Sequence, residues 1–426
     1  VLGPELGELL GVARTHELLA ARRIDGGRQF FTRAIDFGFS KDADETLKVW
    51  DREKVLGDVV RVIRTFRPDV IVTRFSPQPG GTHGHHTASA VLALEAFHLA
   101  GDPNAYPEQL DTLQPWQPTR IFENGWRFGA PRAEDGVLRL TVGETDPISG
   151  EPTGVLAGRS RAMHKTQGFG DFAGGGPAPR EEAFRLMAGR PASGGLFDGI
   201  DTTWARIEGG EPVAQLTDRL IETFDVDDPA ASLPGLLELR ALLADLPDDP
   251  VVAGKLHDLD RIIQGVLGLE VRTLAPRAEV VPGEAIDLEL SMTQRAGRPV
   301  RWSAARLSAG DSVSVDEEPT PAGTTTRRVV LRVPADMEPT QPYWLRERPE
   351  VGIFTVADPS LIGRPENPPA LYVDYELAID DQTLVLRDVP VVPDPAGGES
   401  EPVIVVGDVN SADRSDVQRL RPVDEP

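Results

Sequence analysis

Apolar residues at Leu56, Val59, Val60, Ile63 and Phe66 recur with helical spacing, and Asp58, Arg61 and Arg64 fall between them. That pattern predicts an amphipathic helix. Pro68 stops it, since proline has no N–H to continue the helical hydrogen bonds. Asp69 then leads into Val70-Ile71-Val72-Thr73, an apolar run of the kind found in buried, interior strands. A Gly/Pro-rich loop, Ser76-Pro77-Gln78-Pro79-Gly80-Gly81, follows. A second helix begins near residues 85–87, with Ala88, Val91, Leu92, Ala96 and Leu99 on one face. Helix, strand, loop and helix in this order are the building unit of an open parallel sheet. Upstream, residues 5–24 read as two helices parted near Gly11.

From residue 125 to about 210 the periodicity weakens under frequent glycine and proline, and a helical piece at 159–167 ends at Gly168. Helices are predicted at 213–224, 236–246 and 251–267, the last closed by Gly268. After Leu269 the period changes to two. Ile286, Leu288, Leu290 and Met292 alternate with Asp287, Glu289 and Ser291, and the same alternation holds for Val329, Leu331 and Val333 and for Leu371, Val373, Tyr375, Leu377 and Ile379. Short strands separated by Pro/Gly turns predict a β-sandwich.

The expected fold is therefore α/β: a Rossmann-like open parallel sheet domain, incomplete at its N-terminus, then a helical linker and an Ig-like β-sandwich. The boundaries fall at 1–210, 211–268 and 269–392, and residues 393–426 form an acidic, Pro/Gly-rich tail with one apolar run at 403–406. A length of 426 residues agrees with more than one core.

A formal charge of −24 opposes binding to nucleic acid or to anionic membrane surfaces. No apolar run approaches the roughly 20 residues of a membrane-spanning helix. The absence of cysteine excludes disulfides and thiolate metal sites. A cytoplasmic and an exported protein are equally compatible with these features, and oligomeric state is not legible.

Three of the seven histidines fall within His83-Gly84-His85-His86, just after the apolar run at 70–73. Ligands of open parallel sheets collect at the carboxyl ends of strands. Histidines spaced i, i+3 where a chain enters a helix can converge, and neutral imidazole suits zinc, which needs three protein ligands plus water in a catalytic site. The other reading is a solvated loop that happens to hold histidines.

The stretch Arg67-Pro68-Asp69-Val70-Ile71-Val72-Thr73-Arg74-Phe75 followed by His83-Gly84-His85-His86 resembles the second metal motif of PIG-L/LmbE-like zinc-dependent N-deacetylases. Arg14-Thr15-His16-Glu17-Leu18-Leu19-Ala20 resembles the family's Arg-x-x-Glu helix, and Met163-His164-Lys165-Thr166-Gln167 its late His-x-Ser/Thr-Gln helix. The resemblance runs over residues 2 to about 206. It implies that His86 ligates zinc and that His83 hydrogen-bonds or protonates the tetrahedral intermediate of amide hydrolysis. It also implies that Arg14, His164 and Gln167 contact substrate, against readings as a surface arginine and as helix packing. His85 is either behind the site or exposed, and Glu17 is placed to orient Arg14.

Two departures qualify this. The family's early Ala-His-Pro-Asp-Asp-Glu segment, which supplies two zinc ligands and a general base, is not found in this sequence, so the chain as written is expected to lack zinc and activity. The family's Gly-(Tyr/Phe)-Pro-Asp-Gly turn is here Gly38-Phe39-Ser40-Lys41-Asp42, which puts a substrate-contacting aspartate in doubt. Trp116, Trp126 and Trp204 are either core or sugar platforms. Gly174-Gly175-Gly176 reads as a loop over the site, and the acidic segments 225–228 and 245–249 as solvated turns. The expected function is zinc-dependent hydrolysis of an N-acetyl group on an amino sugar or related small molecule or glycan. The alternative is a non-catalytic carbohydrate- or surface-binding protein with a degenerate deacetylase domain.

Overall fold

Asp51 opens the helix that the helical spacing of apolar residues predicts, accepting the N–H of Lys54 at 3.2 Å. In the computed structural model, which describes residues 6–80, 82–124, 137–170, 175–315, 322–394 and 400–407, the chain forms two compact units. Residues 1–202 with 342–367 make the first, and 203–341 with 368–426 the second.

In the first unit α1 is Glu8–Asp25, α2 Ala43–Val49, α3 Arg52–Phe66, α4 Gly84–Leu99 and α5 Thr153–Ala162. The predicted break near Gly11 does not occur: α1 runs through it, since an exposed helix tolerates one glycine at a cost of about 1 kcal/mol. The helix predicted at 159–167 is instead the end of α5 and a separate 3₁₀ turn, Lys165–Gln167, closed by Gly168 at φ 82°. The strands are β1 Val70–Thr73, β2 Arg120–Asn124, β3 Val137–Val142 and β4 Arg180–Gly189, in the order β1-β2-β4-β3.

β1 pairs parallel with β2, Val70 opposite Arg120, while β2–β4 and β4–β3 are antiparallel. The sheet is thus mixed, with one parallel pair among the described residues. β1 is not interior as its apolar run predicts: it is an edge of the described sheet, and Val72 is 44% exposed. Ile71 packs against the core that includes Val55, Val60 and Ile63 of α3. Val59, Val62, Ile63, Val70 and Ile71 line an open groove of about 280 Å³ there.

Two buried arginines order this unit. Arg64 on α3 donates to the carbonyls of Ala100, Asp102, Ala105 and Tyr106 and to Gln109, at 2.8–3.2 Å, which fixes the chain leaving α4. Arg120 on β2 donates to the carbonyls of Leu196 and Asp198. The segment 342–367 is a strap on the first unit. Ile35 donates to the Gly352 carbonyl at 3.0 Å and Phe354 to that of Arg33 at 2.8 Å, and Ile353 is buried with Val55, Leu56, Val60 and Leu92.

The second unit begins with α6 Glu211–Thr223, α7 Leu233–Ala244 and α8 Pro250–Leu267. It is otherwise rich in β-structure: β5 Glu270–Leu274, β6 Glu279–Val280, β7 Ala285–Gln294, β8 Arg301–Leu307, β9 Ser312–Ser314, β10 Gly323–Arg332, β11 Val373–Ile379, β12 Gln382–Asp388, β13 Val391–Val392, β14 Glu401–Pro402 and β15 Ile404–Val405. One sheet has the order β10-β7-β5-β13-β14 and another β12-β11-β8-β9. The inward residues of β7 and β11, which are those of the period-two pattern, share one core with Trp302 and with leucines of α6, α7 and α8. Among the described residues no helix is long and apolar enough to cross a membrane.

Candidate functional site

The histidine cluster stands where β1 has ended and α4 begins. His83 is the N-cap residue of α4 in extended conformation, so its side chain leaves the helix axis, while His85 and His86 lie in the first turn. Gly84 is required between them. A Cβ there would sit 2.0 Å from the carbonyl oxygen of Asp42 and 2.6 Å from Ser40 Oγ. The turn at 40–42 can therefore lie directly on the start of α4, and the Gly84 N–H donates to the Ser40 carbonyl at 3.0 Å.

His83 and His86 stack nearly parallel, with centroids 5.4 Å and planes 10° apart, and His86 stacks in turn on Phe75 at 3.8 Å. An imidazole ligates through a lone pair in its own plane. Parallel rings at this spacing do not aim at one ion. Among the described residues no group of three or more His, Asp or Glu side chains is placed to hold a metal ion. The residues described here do not by themselves fit a catalytic zinc.

His85 is the best-anchored of the three. Its ring packs against Phe37 at 4.5 Å and Trp50 at 5.3 Å, and its Nδ1 lies 2.8 Å from Ser40 Oγ. Ser40 is fully buried, and its Oγ also accepts the His85 backbone N–H at 3.1 Å and meets Thr46 Oγ1 at 2.8 Å. A serine so enclosed has no path to a substrate. It serves as a fixed point for the ring.

Asp36 joins this group to α1. Its carboxylate lies 3.8 Å from His85 Nε2 and 3.2 Å from Arg14, and it accepts the Gly38 N–H at 3.0 Å. Burial holds the His85 pKa below the ordinary histidine value, with Asp36 opposing and His83 adding to the effect. Burial likewise lowers His86, with His83 and His85 contributing. Both shifts favour the neutral ring, the state in which imidazole ligates or accepts a proton.

Arg14 is thus brought to the cluster, by Asp36. Glu17 does not orient it, as sequence spacing suggests: Glu17 accepts the Thr166 N–H at 2.6 Å and its hydroxyl at 2.8 Å. An N-terminal turn of 3₁₀ type has free N–H groups, and Glu17 takes one of them. His164 caps this turn and Gln167 is its last residue; the turn is tied to α1 through Glu17, and His164 Nδ1 lies 3.2 Å from the Arg161 carbonyl. Asp42 accepts the Glu45 N–H at 2.8 Å as the cap of α2.

Trp116 donates to the Pro68 carbonyl at 2.8 Å within the first core, and Trp204 packs on the core of the second unit. Trp126 and Gly174 lie outside the described residues. Gly175 and Gly176 abut the first turn of α5, where a Cβ on Gly175 would come within 1.9 Å of the Gly154 carbonyl oxygen. Sequence reasoning missed Asp36 and Ser40, whose residue types are ordinary in a turn.

No family model matches the chain. The 1D-myo-inositol 2-acetamido-2-deoxy-alpha-D-glucopyranoside deacetylase of Streptomyces avermitilis is 31% identical over 150 residues, 33% of this chain and 49% of that protein. The mycothiol S-conjugate amidase of Streptomyces coelicolor is 31% identical over 127 residues, 28% of this chain and 42% of that protein. A deacetylase of the first name from Streptomyces scabiei is 29% identical over 133 residues, 29% of this chain and 40% of that protein. Among solved structures, an alkylpurine DNA glycosylase of Pseudomonas fluorescens bound to DNA gives a TM-score of 0.14 at 10% identity over 43% of this chain and 54% of that one, too low to bear on the fold. The chain spans about half the length of the curated relatives it matches, and those relatives are named as deacetylases of an acetamido sugar and as an amidase.

Proposed function

We propose that the first unit carries part of the active site of a hydrolase that removes an N-acetyl group from an amino sugar, on a Rossmann-like frame of the PIG-L/LmbE type. The observation that carries this reading is the His83–His86 pair at the start of α4, beyond the carboxyl end of β1. The similarity to acetamido-sugar deacetylases at 31% identity supports it. In this reading His83 is the donor to the developing oxyanion or leaving amine, a role that needs a titratable group about 3 Å from the reacting atoms. Arg14, held by Asp36, faces the polar groups of the substrate, and His164 and Gln167 are further substrate contacts. The second unit, in the same reading, is an Ig-like β-sandwich.

Zinc, proposed on the resemblance, would polarise the amide carbonyl and supply the attacking water. His86 is one ligand, and two more must come from outside the group described above. A second reading draws on the same fact. With no three-ligand group among the described residues, the domain is a degenerate deacetylase that binds a glycan without cleaving it.

Acetate release separates the two. The protein in the form its gene encodes, supplied with zinc and the acetamido sugar linked to inositol, is expected to release acetate in proportion to bound metal. Tight binding of the sugar with no acetate would establish the second reading.

A further inference from the structure

Phe39 is 68% exposed, and its ring meets His83 edge to face, centroids 4.9 Å and planes 71° apart. Scattered exposed apolar residues need no explanation, but this one stands on the histidine assigned to the reacting amide. The turn that carries it is also held firmly on both sides. Asp36 accepts the Gly38 N–H at 3.0 Å, and Glu45 accepts that of Lys41 at 2.7 Å. Ser40 is buried and bonded to both Gly84 and His85. Gly38, at φ 88°, turns the chain so that Phe39 projects while Ser40 points inward.

An aromatic ring with two torsions on a fixed backbone loses little entropy when a ligand covers it. An exposed ring set edge to face against the His83 imidazole suits a ligand that is apolar on its faces and polar at its rim. A long acyl chain would need an enclosing apolar cavity instead. We propose that Phe39 is a substrate-binding residue, a platform on which the C–H face of a pyranose ring stacks while the acetamido group reaches His83. This inference rests on the reading of the site as one that acts on an amino sugar. It makes Phe39 the residue that selects a sugar over an acyclic amide.

Saturation-transfer NMR and calorimetry on the full chain, with N-acetyl-D-glucosamine and with acetamide as probes, test it. The Phe39→Ala variant is expected to bind the sugar roughly tenfold more weakly, the upper range for a single stacked ring. Phe39→Trp should bind it as well as the wild type, and acetamide should not distinguish the three proteins. The exposed position predicts unchanged circular dichroism in all of them. Equal sugar affinity in wild type and Phe39→Ala, or no sugar binding by the wild type, overturns the proposal. Sugar binding that depends on Phe39, in a gene-encoded protein that releases no acetate, would sink the deacetylase reading and leave the platform standing. Acetate release that is unaffected by Phe39→Ala would do the reverse.

Discussion

The carboxylate of Asp36 is shared between two residues, lying 3.2 Å from Arg14 on α1 and 3.8 Å from Nε2 of His85 on α4. Neither contact is strong alone, since Asp36 is largely exposed and such pairs contribute about 0–1 kcal/mol. Their effect is one of placement. The arginine of one motif and the histidine of another, seventy-one positions on, meet at a residue that belongs to neither.

Ser40 and Gly84 are expected to be the structural keys of this arrangement. Ser40→Ala removes a buried hydroxyl that anchors His85 and should cost about 1–3 kcal/mol. Gly84→Ala should cost at least as much, because its Cβ would overlap the backbone oxygen of Asp42. Urea unfolding followed by tryptophan fluorescence reads both. A Gly84→Ala protein as stable as the wild type would show that the turn at 40–42 does not lie on α4.

His83 and His86 should separate in the zinc-loaded protein. His86→Ala is expected to lose metal, measured by atomic absorption. His83→Ala should keep its metal and lose turnover by roughly 10²-fold, as when one transition-state donor is removed. Equal loss of metal in both would show that the roles are assigned wrongly.

The 426-residue chain by itself is expected to bind zinc no better than a short histidine-bearing loop. One inferred ligand stands among residues that do not converge on an ion. Calorimetric titration decides the matter. Stoichiometric binding below micromolar concentration would mean that other residues of this chain complete a site.

In the second unit, Asp388 accepts the Thr273 N–H at 2.6 Å, yet burial raises its pKa above the ordinary carboxylate value. Between the unfolded and folded pKa values the native state binds more protons, so the contribution to stability falls as pH rises through the folded pKa. Asp388→Asn keeps an acceptor for Thr273 and carries no charge. It should therefore stabilise the protein at neutral pH, with an advantage that shrinks as pH falls toward 4. Thermal melts across that range check the sign, and an advantage that grows in acid would refute it.

The elements that were legible are those whose period reports a single buried face. β1 is found at the predicted residues, α8 ends at Gly268 in the left-handed conformation, and the alternation at 286–292 is the inner face of β7. What could not be read depends on partners distant in sequence. An apolar run such as 70–73 looks the same whether it is flanked by two strands or by one strand and a helix. Asp36 and Ser40 have ordinary turn chemistry in sequence, and their importance arises from contacts with residues 14 and 85. Glu17 could be aligned with Arg14 by helical spacing, but Thr166, with a free N–H and a hydroxyl, is the better partner.

The strap has a genetic consequence. The chain leaves the first unit at residue 202, returns for 342–367, and then departs again. Ile353 fills part of the first core, and the backbone of 352–354 is bonded to residues 33 and 35, next to Asp36. A stop codon anywhere between 203 and 341 would therefore damage an upstream unit whose own codons up to 202 are intact. Loss of a buried isoleucine alone costs about 2–5 kcal/mol, a large part of a typical domain's stability. Truncation mapping that places the boundary of the histidine-bearing half at residue 202 would make a protein that fails for want of a segment that begins only at residue 342.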